Sequence, residues 1–231
     1  EAEKNSGQRR KAYTARTGFR QAINPDSFYV DLKGLEKWAT TTTIHEDCAV
    51  LHTLIAKAYS DFASRNQYSL QWRTDVVDTP SEDMREWSKN LFVQKVLDHT
   101  HAALEDSVLL FSLSTKEYIP FVKQQEYSKY YHHNLYHLLA SYGVNSIKNI
   151  SSLMSDTVMT REIGDIYMNL HKMYRKQENK DALVLLALEG LQWRKETGGI
   201  SSETYLTNMD HLLMAFGTRP ISVEIYLAKA R

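Results

Sequence analysis

Cysteine, proline and glycine are all scarce in this chain. Cys48 is the only cysteine among 231 residues, so no intrachain disulfide can form, which fits a reducing compartment. Four prolines and nine glycines are few for an all-β domain, which needs turn residues at every hairpin; their scarcity favours helices. An excess of either charge is missing too. Lys and Arg number 28, Asp and Glu 28, and the net charge is zero, which speaks against a generic nucleic-acid coat while leaving room for a local basic patch. No apolar run approaches the roughly 18 residues of a spanning helix, so no membrane association is expected. No signal-peptide core precedes the first helix, and a chain that starts at Glu1 reads as a trimmed or interior stretch. The expected location is intracellular, with cytoplasm and mitochondrion undistinguished.

Catalytic signatures are absent as well. There is no Walker A loop, no Gly-rich dinucleotide loop and no Gly-x-Ser-x-Gly elbow. His133 and His137 stand four apart, a spacing that lets two imidazoles share a metal, but Asn134 holds the place where a zinc protease needs glutamate. No second ligand pair is in sight, so half-buried or surface histidines are the expectation. His45 and Cys48 lie three apart, and Cys48 falls on an apolar face, as an inert core thiol would. The sequence therefore predicts no enzyme, no catalytic residue, no cofactor and no metal.

What is present is apolar periodicity. Hydrophobic residues make up 42% of the chain, enough for one large domain or two small ones. Residues 1–22 are polar and basic, with Lys4, Arg9, Arg10, Lys11, Arg16 and Arg20 against only Glu1 and Glu3. They read as a flexible arm able to seek anions. A short helix is expected through Leu32, Leu35 and Trp38, then a connector at Thr40–Thr43. A longer helix follows on Cys48, Leu51, Ile55, Tyr59 and Phe62. Tyr68, Leu70 and Trp72 alternate like a short strand. Ser81 reads as the cap of a helix running to Leu104. Pro120 precedes an aromatic-rich helix over 121–142, and further helices are expected near 146–155, 160–175, 179–196, 202–216 and 220–231, punctuated by Gly143, Gly198-Gly199 and Gly217. The expected fold is all-α: antiparallel helical hairpins stacked as a bundle or short α-solenoid. The expected parts are the arm, an N-terminal helical part at 23–115 and a C-terminal hairpin part at 116–231, or one continuous domain over both.

An imperfect internal repeat runs through the last part. His137-Leu138-Leu139, Tyr142-Gly143, Ile147 and Leu153 match His211-Leu212-Leu213, Phe216-Gly217, Ile221 and Leu227 at a constant offset of 74, with a third hairpin around Lys176–Lys180 between them. The stretch from Tyr174 to Leu183 resembles a tetratricopeptide or pentatricopeptide hairpin, within a likeness covering residues 136–231. It departs from the full Trp-Leu-Gly-Tyr-Ala-Phe-Pro framework. The resemblance implies an α-solenoid that binds a protein chain or, in the pentatricopeptide case, RNA. Ile23–Leu32 and Phe216–Pro220 are similar to the ends of orthobunyavirus nucleoproteins, which implies RNA binding, but the middle of the chain does not match.

Two functions follow as expectations. The first is a non-catalytic α-helical scaffold that binds a protein partner or self-assembles, with Tyr205 and Tyr226 as exposed contact residues. The alternative is an RNA-binding helical protein, with Arg9, Arg10, Lys11, Arg16 and Arg20 on the phosphates. Tyr127, Tyr130, Tyr131 and Tyr136, near Lys123 and Lys129, could stack bases, although tyrosines also fill helix seams.

Overall fold

The computed structural model describes residues 28–73, 81, 83–115 and 134–230. Ten α-helices and no strand occur among them. They are α1 (Phe28–Thr41), α2 (His45–Arg65), α3 (Gln67–Gln71), α4 (Lys89–Leu104), α5 (Ser107–Ser112), α6 (Leu135–Asn149), α7 (Asp156–Lys176), α8 (Lys180–Glu196), α9 (Ser202–Phe216) and α10 (Ser222–Ala230). The all-α expectation is met. The arm at 1–22, Pro120 and the expected helix as far as residue 133 lie outside the described residues.

The described residues fall into two compact units, one comprising 28–115 with 134–161, the other 162–230. Residues 134–161 thus join the N-terminal helices, where the sequence grouped them with the C-terminal hairpins. The reason is packing: Ile150 and Leu153 are buried in the same core as α1, α2 and α4.

In the first unit α2 is the central helix, and α1, α4 and α6 pack against it. Leu51, Ile55, Tyr59 and Ala63 recur every fourth residue and form one fully buried line along α2. Leu32, Leu35 and Ala39 of α1 and Phe92 and Val96 of α4 close over that line. Buried polar atoms bind α6 to α2. The Ser60 hydroxyl donates to the Ser146 carbonyl at 2.8 Å, and Asn149 donates to Ser60 Oγ at 3.0 Å.

Three local expectations fail here, each for a stated reason. Tyr68–Gln71 is helical rather than extended, within α3, and Trp72 caps the end of that helix; Leu70 is its one buried residue and the flanking aromatics are exposed. Ser81 does not start the next helix. Its hydroxyl accepts from Asp83 N, Asp83 caps a single 3-10 turn at Met84–Glu86, and Ser88 caps α4 by accepting from Leu91 N. Gly143 is no breaker; it is buried inside α6, which runs on to Asn149 and takes up the start of the helix expected at 146–155.

The second unit is a run of hairpins over 162–230, and its turns follow local rules. At the end of α7, Asn179 N donates to Tyr174 O and Glu178 N to Arg175 O, the paired bonds of a Schellman cap. Glu178 carries the left-handed conformation, at φ 56°. Asn179 then caps α8 by accepting from Ala182 N. The same cap recurs after α8, where Gly199 N donates to Arg194 O, Gly198 N donates to Lys195 O, and Gly198 has φ 72°. Ser201 caps α9. The core joins Val184, Leu185 and Leu188 of α8, Tyr205 and Met209 of α9, Ile221 in the turn before α10, and Ile225 of α10.

Candidate functional site

The two tyrosines proposed from sequence as contact residues have opposite fates. Tyr205 is 2% exposed, with its hydroxyl donating to Gln192 Oε1 at 3.1 Å and the Lys195 ammonium 4.3 Å above its ring. It is a core residue of the second unit, and its expected exposure is corrected. The cause is helical register: Tyr205 and Met209 sit one turn apart on the face of α9 turned to α8 and α10. Tyr226 is 58% exposed, as expected.

Tyr226 belongs to an unusual helix. The spacing of Ile225 and Ala228 places them on one side of α10, where they pack into the core with Ile221, the residue just before the helix. Val223, Tyr226 and Leu227 fall on the opposite side, and all three are exposed. A helix of a self-contained surface normally carries polar residues there. α10 is apolar on both faces, and α9 adds exposed Leu206 and Met214. Lys229 of α10 pairs with Asp210 of α9, and Arg219 Nε donates to Asp181 Oδ1 at 2.8 Å, so these charges tie the hairpins together. A separate open groove of about 450 Å³ in this unit is lined by Gly164, Tyr167, Gly190, Trp193, Arg194 and His211, among others.

The first unit holds a polar cluster that sequence reading missed. Glu36 of α1 meets Tyr59 of α2 and Lys95 and His99 of α4. The Tyr59 hydroxyl donates to Glu36 Oε1 at 2.8 Å, the Lys95 ammonium at 3.2 Å, and His99 Nε2 lies 3.4 Å away. His99 Nδ1 in turn meets His52 Nδ1 at 2.7 Å. Burial by itself pushes the Glu36 carboxyl up. The hydrogen bonds from His99, Tyr59 and Lys95, with the Lys95 charge, outweigh it and hold the group at about 2. Burial, and then Glu36, push the Tyr59 phenol up. Burial and the neighbouring His99 push His52 down against the opposing pull of Glu36. No sequence motif announces this set. Its five residues come from three helices, and only the spacing of His52 to Tyr59 and of Lys95 to His99 shows that each pair shares a helix face.

The other candidates resolve as follows. Arg9, Arg10, Lys11, Arg16 and Arg20 lie outside the described residues, as do Lys123, Tyr127, Lys129, Tyr130, Tyr131 and His133. Tyr136 is buried, which raises its phenol. His137, expected half-buried or at the surface, is fully buried near the start of α6, where Asn134 caps the helix by accepting from His137 N. No group of three or more His, Cys, Asp and Glu with metal-binding geometry occurs among the described residues. Cys48 is half-buried with its Sγ 3.5 Å from Ala39 O, and burial, then Glu105, push its thiol up; His45 lies instead 3.7 Å from Asp106. No described helix is long and apolar enough to cross a membrane.

No family model, curated protein or solved structure matches this chain.

Proposed function

We propose that this chain is a non-catalytic α-helical scaffold that assembles with protein chains, its own copies first, through the outward face of α10. The carrying observation is the second apolar face of that helix: Val223, Tyr226 and Leu227 are exposed opposite Ile225 and Ala228. Exposed aromatic and aliphatic side chains at i, i+3 and i+4 are the pattern by which one helix packs on another. Two features favour a second copy. A face without charge is its own complement across a two-fold axis. A chain of zero net charge also lacks the long-range repulsion that keeps copies apart. Three side chains cover far less than the roughly 800 Å² per partner of a standard interface, so the association is weak and concentration-dependent. The test is self-association of the full chain beside a Tyr226→Asp variant. Loss of association in the variant supports the reading; a wild-type monomer at every concentration defeats it.

A second reading, RNA binding, has its own observation. Tyr68 and Trp72 are 79% and 77% exposed and stand four residues apart around α3, with exposed Arg65 close by in sequence. Exposed aromatics beside a cation are a platform on which bases stack. With the basic arm on phosphates, affinity for single-stranded RNA falls with salt by a slope of about −0.7 per phosphate contacted. Alanine at Arg9, Arg10 and Lys11 together weakens binding and flattens that slope under this reading. Filter binding from low to physiological salt reads both, and RNA affinity indifferent to the triple change counts against it.

A further inference from the structure

We propose that His52 and His99 form a proton-gated latch: while at least one of the two rings is neutral, the pair fastens α2 to α4, and the proton that makes both rings cationic releases it. The geometry sets the proton count. Two Nδ1 atoms 2.7 Å apart can share a hydrogen bond only if one donates and the other accepts. His99 turns its Nε2 to the Glu36 carboxylate, which fixes a proton on that side. The two rings together can then carry three protons and keep their contact. A fourth sets N–H against N–H and places two cationic rings with centroids 5.0 Å apart.

The described surroundings offer no relief to that fourth proton. α1 contributes Glu36, α2 contributes Tyr59, and α4 contributes Lys95 beside His99. Among the described residues Glu36 is the carboxylate that pulls on His52, and it already takes Tyr59, Lys95 and His99. Lys95 holds a positive charge nearby, its ammonium 5.8 Å from the ring centres of both Tyr59 and Trp87. The downward push on the His52 ring from burial agrees with this count. The sign follows from linkage. A base whose folded value is depressed takes up its proton more readily when the structure opens. The latch is therefore fully engaged above the ordinary histidine value of 6.5 and weakens as pH falls below it. The apolar line of Leu51, Ile55 and Ala63 does not titrate, so the expected response is local opening of α2 and α4 rather than loss of the unit.

Hydrogen exchange of the full chain at pH 7.5 and 5.5, corrected for the intrinsic pH dependence of exchange, reads the latch directly. Amides of α2 and α4 around His52 and His99 should open more at pH 5.5, with a ceiling of roughly tenfold one pH unit below 6.5. Protection in α8 and α9 should not change. In His52→Gln, whose amide both donates and accepts but carries no charge, the pH dependence in α2 and α4 should vanish. Equal protection at the two pH values in the wild type overturns the proposal, as does a glutamine variant that keeps the full pH dependence. Should that variant not fold, NMR titration of the His52 ring in the wild type decides alone. A midpoint below 6.5 supports the latch, and one at or above 6.5 overturns it.

Discussion

Glu178 shows how one residue can work against an otherwise well-built turn. The Schellman cap of α7 needs a left-handed residue at this position, and after α8 the equivalent place is held by Gly198. An L side chain in that conformation costs about 1–2 kcal/mol, and a glycine costs about 0.5–1 kcal/mol of chain entropy. Glu178→Gly is therefore expected to stabilise the second unit by about 0.5–1 kcal/mol. Denaturant unfolding followed through Trp193, the one tryptophan of that unit, checks this; an unchanged or lowered midpoint contradicts it. Gly217 needs glycine for a different reason. A Cβ there would come within 2.5 Å of the Leu213 carbonyl oxygen, so space rather than dihedral angle sets the requirement.

At the scale of elements, α10 gives the sharpest contrast between its two faces. Ile225 is fully buried, and truncation to alanine is expected to cost about 2–5 kcal/mol through lost burial and the cavity left behind. Val223 lies on the outer side, and Val223→Ala should fall within about 0.5 kcal/mol of wild type in dilute protein. Equal losses from both substitutions, in the same unfolding experiment, would show that the outer face is already covered. The helices that sequence reading placed well are those with local punctuation. Asn179, Gly198-Gly199 and Ser201 mark the boundaries of α8 and α9 by caps that need only neighbouring residues. It misplaced elements wherever tertiary packing overruled the local signal. Gly143 costs its helix about 1 kcal/mol relative to alanine, yet α6 continues through it, with Leu139, Val144 and Ile147 buried around it. The match of His137–Gly143 with His211–Gly217 joins unlike places: His137 is buried and Gly143 lies within a helix, while His211 is exposed and Gly217 ends one. The Glu36 cluster was illegible for the same kind of reason, since its members are assembled by the packing of three helices.

For the whole molecule, composition carried the fold class: few turn residues favour helices over an all-β domain, and the described residues are built from packed helices. Function is less legible, because the surface on which the proposal rests is the far side of one short helix. Sequence periodicity flags Tyr205 and Tyr226 alike, and only the packing of α8, α9 and α10 separates the core tyrosine from the exposed one. The scaffold reading rests on that separation. Its most direct test is sedimentation velocity of the full chain from about 1 to several hundred micromolar, the range in which so small an apolar face would act. The weight-average sedimentation coefficient should rise with concentration in the wild type, and Tyr226→Asp should stay monomeric throughout. A wild-type chain that stays monomeric over the whole range, or a Tyr226→Asp variant that associates as strongly as the wild type, would contradict that reading.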